Sequence, residues 1–291
     1  MARPVQQQRQ IDCAQPEWNL MTGANHTHAQ CTGGAYSGLF QPDGWAQTRI
    51  GVLTPHADVV PETEFGALAP EGISIHAMRV PFGAHKAGGT MDWTIADDPV
   101  RAFAEPPFVD DAAELLAAAP LHAIVYAFTS SSYVRGAADD AALKARLERR
   151  TRGIPVIVPC AAAVTALTVL TAKRLALISP PWFSEEMDHR GARYFQSQGF
   201  EVVQSGPAGL PSDPQAIRPG QLYEWVRAHT PEDADAVFIG GNGFRAIGVI
   251  NALEEHLARP VLTANQVAFW HALRLSGTQA SVVGYGQIFG R

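Results

Sequence analysis

The sequence has few cysteines and no long apolar run. Its 291 residues include three cysteines, Cys13, Cys31 and Cys160, too few for a disulfide framework in a chain of this length. No apolar run approaches the roughly 20 residues that span a bilayer, and the first residues lack the apolar segment of a signal peptide. These absences predict free thiols and a cytoplasmic protein with no membrane partner.

Common catalytic and binding motifs are also absent. The sequence contains no HExxH zinc motif, no GxSxG nucleophile elbow and no P-loop. A net charge of -6 without a basic stripe argues against nucleic acid as a partner. Cys13, His26, His28 and Cys31 are potential metal ligands, but their spacing matches no known zinc module, so no metal site is predicted.

Apolar runs of strand length alternate with helix-like segments through most of the chain. The clearest helix is Asp139 to Arg150, which Gly153 and Pro155 follow as stop signals. The predicted strands lie near residues 49–54, 73–80, 122–128, 154–158, 174–179, 200–204, 235–240 and 260–263. Such an alternation predicts an α/β fold with parallel sheets covered by helices.

Two of the predicted strands run into candidate binding turns. Residues 123–128 precede the polar turn 129–133, and residues 234–239 precede the glycine-bearing turn 240–243, with Phe244 to Leu257 predicted as the next helix. Ligands bind at the carboxyl ends of strands in open α/β sheets. Two such units that face one cleft predict a pseudo-symmetric molecule.

Several motifs follow one another in a fixed order between residues 49 and 291. They are Arg49 to Asp58 (RIGVLTPHAD), Thr129-Ser130 with Arg135 to Ala138, Gly241 to Ala246 (GNGFRA), Ala264 to Gln266 with Phe269 to Arg274, and Gly284 to Phe289. In these motifs the chain resembles the maleate isomerase and arylmalonate decarboxylase branch of the aspartate/glutamate racemase superfamily. The resemblance implies two pseudo-symmetric domains, each a short parallel sheet flanked by helices, with the active-site cleft between them.

The predicted domain organisation combines the strand pattern with this resemblance. Residues 1–48 form an N-terminal arm with no counterpart in the family. Residues 49–153 together with 274–291 form the first α/β domain, and residues 154–273 form the second. Only the resemblance implies that the C-terminal tail returns to the first domain.

The resemblance also implies the chemistry, a cofactor-independent isomerase or lyase reaction on a small carboxylate or dicarboxylate. Hydroxyl and backbone N–H groups would stabilise a carbanion or enediolate, because preorganised donors in a dry site lower the barrier. The residues that match substrate-binding positions of the family are Thr129, Ser130, Gly241, Asn242, Gly243 and Asn265. From the residues alone, a hydroxyl that caps the following helix is the commoner role for the turn 129–132.

The chain departs from the family at both catalytic cysteines. Phe128 stands at the first cysteine position and Gly241 at the second, and neither can carry a proton or attack an alkene. The tyrosine expected after the strand near 174–179 is replaced by Pro180-Pro181-Trp182. These replacements disfavour thiol-dependent chemistry of the usual kind.

Asp58, His56 and Cys160 are the remaining candidate catalytic residues. Asp58 occupies the position of the family's loop asparagine, and a carboxylate with a nearby imidazole could serve as general acid and base. The alternative is that Asp58 caps the next helix and His56 is a solvated loop residue. Cys160 is expected at a helix start, where thiols become more acidic, although a buried structural cysteine is commoner.

Three functions are compatible with these features. The first is a divergent isomerase or lyase that acts beside a carboxylate without the usual cysteine pair. The second is a catalytically silent carboxylate-binding protein, and the third is a hydrolase or dehydratase with Asp58 as base. In each case the partner is a small carboxylate, no cofactor is expected, and a homo-oligomer is compatible with the sequence.

Overall fold

A computed structural model describes residues 44–85, 92 and 94–291 of the chain. These residues form two parallel four-stranded sheets flanked by helices, so the predicted fold class is confirmed. The strands of the first sheet are β1 (Thr48–Pro55), β2 (Ile73–Val80), β3 (Ala123–Tyr126) and β4 (Val156–Ile157). Those of the second are β5 (Arg174–Ser179), β6 (Glu201–Pro207), β7 (Ala236–Ile239) and β8 (Val261–Thr263).

The two sheets have the same strand order. It is β2-β1-β3-β4 in the first and β6-β5-β7-β8 in the second, and all neighbouring strands are parallel. Every residue of the central strands β3 and β7 is buried, which explains why both read as continuous apolar runs rather than alternating ones. The repeated order gives the molecule the pseudo-symmetry that the paired turns predict.

Ten α-helices connect and cover the described strands. They are α1 (Val60–Leu68), α2 (Asp97–Ala104), α3 (Phe108–Leu116), α4 (Thr129–Arg135), α5 (Ala137–Arg150), α6 (Pro159–Val169), α7 (Glu185–Ser197), α8 (Pro219–His229), α9 (Ile250–Leu257) and α10 (Ala264–Leu275). Two short 3-10 helices cover Ile247–Val249 and Gln287–Gly290. Among the described residues, no helix combines the length and the apolar character that a membrane span requires.

Helices from each half pack against the other half. Helix α4, which follows β3, contacts α7, which follows β5. Helix α10, which follows β8, contacts β3 and β4 of the first sheet as well as α6. The predicted boundaries 49–153, 154–273 and 274–291 stay a prediction, since α10 lies across the proposed division.

One predicted helix begins later than expected. The segment from Phe244 to Leu257 starts as a turn and a 3-10 helix, and α9 begins only at Ile250. The backbone N–H groups of Ala246 and Ile247 donate to Glu64 Oε1 at 2.7 and 3.1 Å. A side chain from the first half therefore holds the residues before α9, an interaction that local sequence does not reveal.

The predicted N-terminal arm, residues 1–48, lies outside the described residues as far as residue 43. Cys13, His26, His28 and Cys31 also belong to that part of the chain. Thr48, the last residue of the predicted arm, is already the first residue of β1.

Candidate active site

A cavity of 660 Å³ lies where the loops after β1, β3, β5 and β7 meet. β1 and β3 are neighbours in the first sheet, as are β5 and β7 in the second. In each pair, the two connections to the following strands leave toward opposite edges of the sheet. α/β proteins bind ligands at such points. Most of the cavity wall is apolar, and the aromatic part consists of Phe82, Phe128, Trp182 and Phe183. The polar lining includes Asp58, Glu64, Thr129, Ser130 and Asn242.

Asp58 enters the cavity from the loop after β1. Its Oδ1 accepts a hydrogen bond from the Val60 N–H at 2.9 Å. Asp58 thus binds the first N–H group of α1, which is close to the helix-capping role given above as its alternative. Its Oδ2 faces the second-half turn so closely that a Cβ added at Gly243 would lie 2.8 Å from it. Removal from water raises the pKa of Asp58 to about 6, although the Val60 N–H and nearby Arg79 favour the charged form.

Glu64 is a buried carboxyl group that the sequence analysis did not select. Its Oε1 accepts from two backbone N–H groups of the turn before α9, and its Oε2 accepts from Asn265 Nδ2 at 2.7 Å. Burial raises the pKa of Glu64 to about 7 despite these hydrogen bonds, and Asp58 adds to the rise. A signal existed in the sequence, because Glu64 lies in the buried row of α1 between Val60 and Leu68.

The turn after β7 has no room for a cysteine side chain at Gly241. Gly241 has φ 85°, a conformation that residues with a side chain rarely adopt. A Cβ added there would overlap Cγ of Pro180, the residue that follows β5. The Pro180 ring therefore occupies the space that a side chain at position 241 would need, and Pro180 begins the segment 180–182 that replaces the expected tyrosine.

Thr129, Asn242 and Asn265 link the loops of the two halves. Thr129 Oγ1 donates to Asn242 Oδ1 at 2.6 Å, and Asn242 Nδ2 donates to Asn265 Oδ1 at 2.7 Å. Asn265 Nδ2 in turn donates to Asn242 O at 2.9 Å and to Glu64. All four side chains are buried, so these hydrogen bonds are shielded from water and fix the loops against each other.

Phe128, which the resemblance places at the first cysteine position, belongs to an aromatic cluster. The Phe128 ring lies 4.1 Å from that of Phe103 and 4.9 Å from that of Phe82, measured between centroids. Next to it, Ser130 is buried and lines the cavity, and its hydroxyl makes no hydrogen bond within the described part of the chain. The Ser130 hydroxyl is thus available to a ligand beside an apolar wall.

Not every predicted site residue lines the cavity. His56 is exposed outside it, and its Nδ1 accepts a hydrogen bond from the Phe82 N–H at 3.1 Å. Cys160 is fully buried behind the first-half loop, with Sγ 4.0 Å from Thr129 O, and burial raises its pKa well above the ordinary value. Asn265 contacts the lining residues from behind. Asp58, Thr129, Ser130, Gly241, Asn242 and Gly243 all line the cavity.

Two further lining residues were not selected as site residues from the sequence, although Arg245 lies within the GNGFRA motif. His85 has a buried Nδ1 without a hydrogen-bond partner among the described residues, and burial together with His56 lowers its pKa to about 4. Arg245 is exposed at the cavity and forms no ion pair in the described structure. No group of three or more His, Cys, Asp or Glu side chains in the described ranges is arranged to hold a metal ion.

Comparison with known proteins identifies the family of this chain. The family model of arylmalonate decarboxylase matches residues 58–289. The chain belongs to the arylmalonate decarboxylase family. It is 27% identical over 166 residues to the arylmalonate decarboxylase of Bordetella bronchiseptica, an alignment that covers 55% of this chain and 68% of that protein. It is 24% identical over 247 residues to a maleate isomerase of Pseudomonas putida, with 82% and 96% covered.

Solved structures of a maleate cis-trans isomerase and of an arylmalonate decarboxylase share this fold. A maleate cis-trans isomerase mutant from Nocardia farcinica, which carries a covalently bound succinylcysteine intermediate, has a TM-score of 0.73 and 21% identity. That comparison covers 83% of this chain and 98% of the Nocardia chain. A crystal structure of arylmalonate decarboxylase has a TM-score of 0.66. The family relationship supports isomerase- or lyase-type chemistry for this member.

Proposed function

We propose that this member of the arylmalonate decarboxylase family is a cofactor-independent isomerase or lyase that acts on a small carboxylate through a carbanion or enediolate. In this proposal, Asp58 takes over the proton transfer for which its relatives use cysteine. The observation that carries the proposal is the position of the Asp58 carboxyl group. It lies in the cavity between the two strand-end turns, and its pKa is raised to about 6.

A carboxyl group with this pKa suits general acid–base catalysis near neutral pH. As a carboxylate it can remove a proton from the carbon beside the substrate carboxylate, and as an acid it can return one to a carbanion. Ser130, with its unengaged hydroxyl, is the donor proposed to hold the substrate carboxylate. The backbone of the turn 241–243 faces it across the cavity and completes the binding site in this proposal.

Covalent catalysis through a thiol is disfavoured. The Nocardia relative holds a succinyl group on a cysteine, whereas the positions that the resemblance assigns to the family's cysteines are here Phe128 and Gly241. Cys160 lies behind the loop and does not line the cavity. The proposal is therefore restricted to proton transfer or decarboxylation at the carbon beside the carboxylate.

The test is deuterium incorporation. The protein is incubated with maleate, arylmalonates, alkylmalonates and amino acids in deuterated buffer, and NMR follows deuterium uptake or loss of a carboxylate. We expect turnover of at least one class, and we expect Asp58→Asn to lower that turnover by about 100-fold or more, because general acid–base groups contribute factors of this size. Asparagine keeps the oxygen that accepts from Val60, so the fold is retained.

Glu71→Gln is the matched control, because it neutralises an exposed carboxyl group away from the cavity. Its turnover is expected to equal that of the wild type. If Asp58→Asn remains within a few-fold of the wild type, Asp58 is not the acid–base group. Binding of these carboxylates in a thermal-shift assay, with neither turnover nor deuterium uptake, would instead indicate a catalytically silent carboxylate-binding protein.

A further inference from the structure

The direction of the hydrogen bonds between the two halves can be deduced from two fixed acceptors. Asn265 Nδ2 lies 2.7 Å from Glu64 Oε2 and 2.9 Å from the backbone oxygen of Asn242. A carboxylate and a backbone carbonyl have no proton to give, so the NH₂ group of Asn265 must face them. Its Oδ1 therefore faces the side chain of Asn242.

The same reasoning extends to Thr129. The atom of Asn242 that meets Asn265 Oδ1, at 2.7 Å, must be the donor Nδ2, so Asn242 Oδ1 is the atom 2.6 Å from Thr129 Oγ1. That oxygen accepts, which means that Thr129 uses its only hydroxyl proton within the protein. Protonation of Glu64 does not reverse the direction of these hydrogen bonds, because the backbone oxygen of Asn242 still holds the Asn265 NH₂ group in place.

Thr129 lines the cavity, and with its proton engaged, its Oγ1 has only lone pairs to offer to a ligand. A carboxylate oxygen placed against it would meet another acceptor, which costs binding free energy. A ligand hydroxyl or amino group placed there would gain a hydrogen bond. Ser130 differs, because its hydroxyl proton is not engaged by any described residue and remains free for an anion.

We infer that this site selects a carboxylic acid that carries a hydroxyl or an amino group on the carbon beside its carboxylate. The O–H or N–H donates to Thr129 Oγ1, and the carboxylate faces Ser130 and the exposed guanidinium of Arg245. Glu64 and Asn265 are positioning residues in this assignment, since they act only through Asn242. The inference rests on the proposed function, because it names the substrate class of that same cavity.

Three acids that share a phenyl group provide the test. Phenylacetate has no donor beside its carboxylate, mandelate has a hydroxyl group there, and 2-phenylglycine has an amino group; the aromatic wall of the cavity suits all three. Dissociation constants are measured by calorimetry near neutral pH. We expect the better of the two donor-bearing acids to bind about 10-fold or more tightly than phenylacetate, the size of one hydrogen bond. Which of the two binds better distinguishes a hydroxy acid from an amino acid.

Variants of Thr129 separate the hydrogen bond from the general shape of the cavity. Thr129→Val removes the acceptor with little change in volume, and we expect the preference to fall to within about 2-fold. Thr129→Ser retains the hydroxyl group and is expected to retain the preference. A neutron structure of the wild type provides a second readout that needs no variant, because it locates the Thr129 deuteron on the line to Asn242 Oδ1.

Several outcomes would overturn the inference. They are equal affinity of the three acids, no binding of any of them, a preference that survives in Thr129→Val, or a Thr129 deuteron directed into the cavity. Because binding is measured without turnover, an inactive protein that keeps the preference would contradict only the proposed function. Deuterium exchange on plain carboxylates without the preference would contradict only the assignment of the substrate class.

Discussion

Gly241 and Pro180 show how two replacements distant in sequence depend on each other. The resemblance implies a cysteine at position 241 and a tyrosine within the segment 180–182, and the chain has neither. In the structure Gly241 has φ 85°, and the Pro180 ring lies where a side chain at 241 would point. Restoring the cysteine alone would therefore meet both backbone strain and a steric overlap.

Gly241→Ala is predicted to destabilise the protein more than a glycine substitution that introduces strain alone. We expect a loss of about 2–4 kcal/mol in the free energy of unfolding, from the positive φ and the overlap with Pro180 together. Gly153→Ala is the control, because Gly153 has φ 89° and no atom within 4 Å of an added Cβ, so about 1 kcal/mol is expected. Urea unfolding measures both, and equal losses would show that Pro180 does not constrain the turn.

At the scale of elements, the contact between α4 and α7 connects the first-half loop to the second half. Tyr133 of α4 is buried against α7, where a Cβ added at Gly191 would lie 2.6 Å from its Cε2. The absence of a side chain at Gly191 thus permits the close packing of the two helices. Since α4 begins at Thr129, this packing also positions the cavity loop.

Gly191→Ala is predicted to destabilise the protein although alanine favours helices. We expect the free energy of unfolding to fall by about 1–3 kcal/mol, because the ring of Tyr133 must move within a packed interior. Gly66→Ala is the matched control, since Gly66 lies in α1 with no atom within 4 Å of an added Cβ. That variant is expected to gain up to about 1 kcal/mol from helix propensity alone. Thermal or urea unfolding of both variants tests this, and a neutral Gly191→Ala would contradict the packing argument.

At the scale of the whole molecule, buried carboxyl groups lie where the halves meet. Asp58 and Glu64 reach from the first half to the turn after β7, and Asp140 of α5 accepts from the Tyr194 hydroxyl of α7 at 2.9 Å. Burial raises the pKa values of Asp140 and Asp58 to about 6 and that of Glu64 to about 7. We therefore expect the stability of the contact between the halves to depend on pH.

Asp140→Asn is predicted to become more stable relative to the wild type as pH rises. The folded protein holds the Asp140 proton up to about pH 6, whereas the unfolded chain releases it near the ordinary aspartate pKa of 3.8. The stability that Asp140 contributes is thus fully present below the unfolded pKa and is lost as pH rises through the folded one. Between about pH 4 and pH 7, we expect the difference in the free energy of unfolding between Asp140→Asn and the wild type to shift by about 2–3 kcal/mol in favour of the variant.

Urea unfolding across this pH range measures the difference, and Asp98→Asn at an exposed site is the control. A constant difference between Asp140→Asn and the wild type would show that Asp140 is ionised throughout. The comparison with the wild type is necessary because burial lowers the pKa values of His85 and His271. As pH rises, those two histidines increase the free energy of unfolding, whereas Asp140 decreases it.

The order of apolar and polar residues was enough to predict the fold and two of the loops that line the candidate cavity. Eight apolar runs predicted eight strands, and polar turns after two of them predicted loops that do line one cavity. This works because strand burial and turn chemistry are local properties that leave a periodic trace in the sequence. The same motifs identified the family.

Only the tertiary structure decided which side chains meet. Glu64 and Asn265 are 201 residues apart, and nothing local indicates that one accepts from the other or that both fix the direction of the Thr129 hydroxyl. The same holds for the late start of α9, the burial of Cys160 and the ring of Pro180 beside Gly241. Hydrogen-bond direction, burial and steric exclusion depend on neighbours that the chain brings together only on folding, so the sequence determined the scaffold while the tertiary structure determined its chemistry.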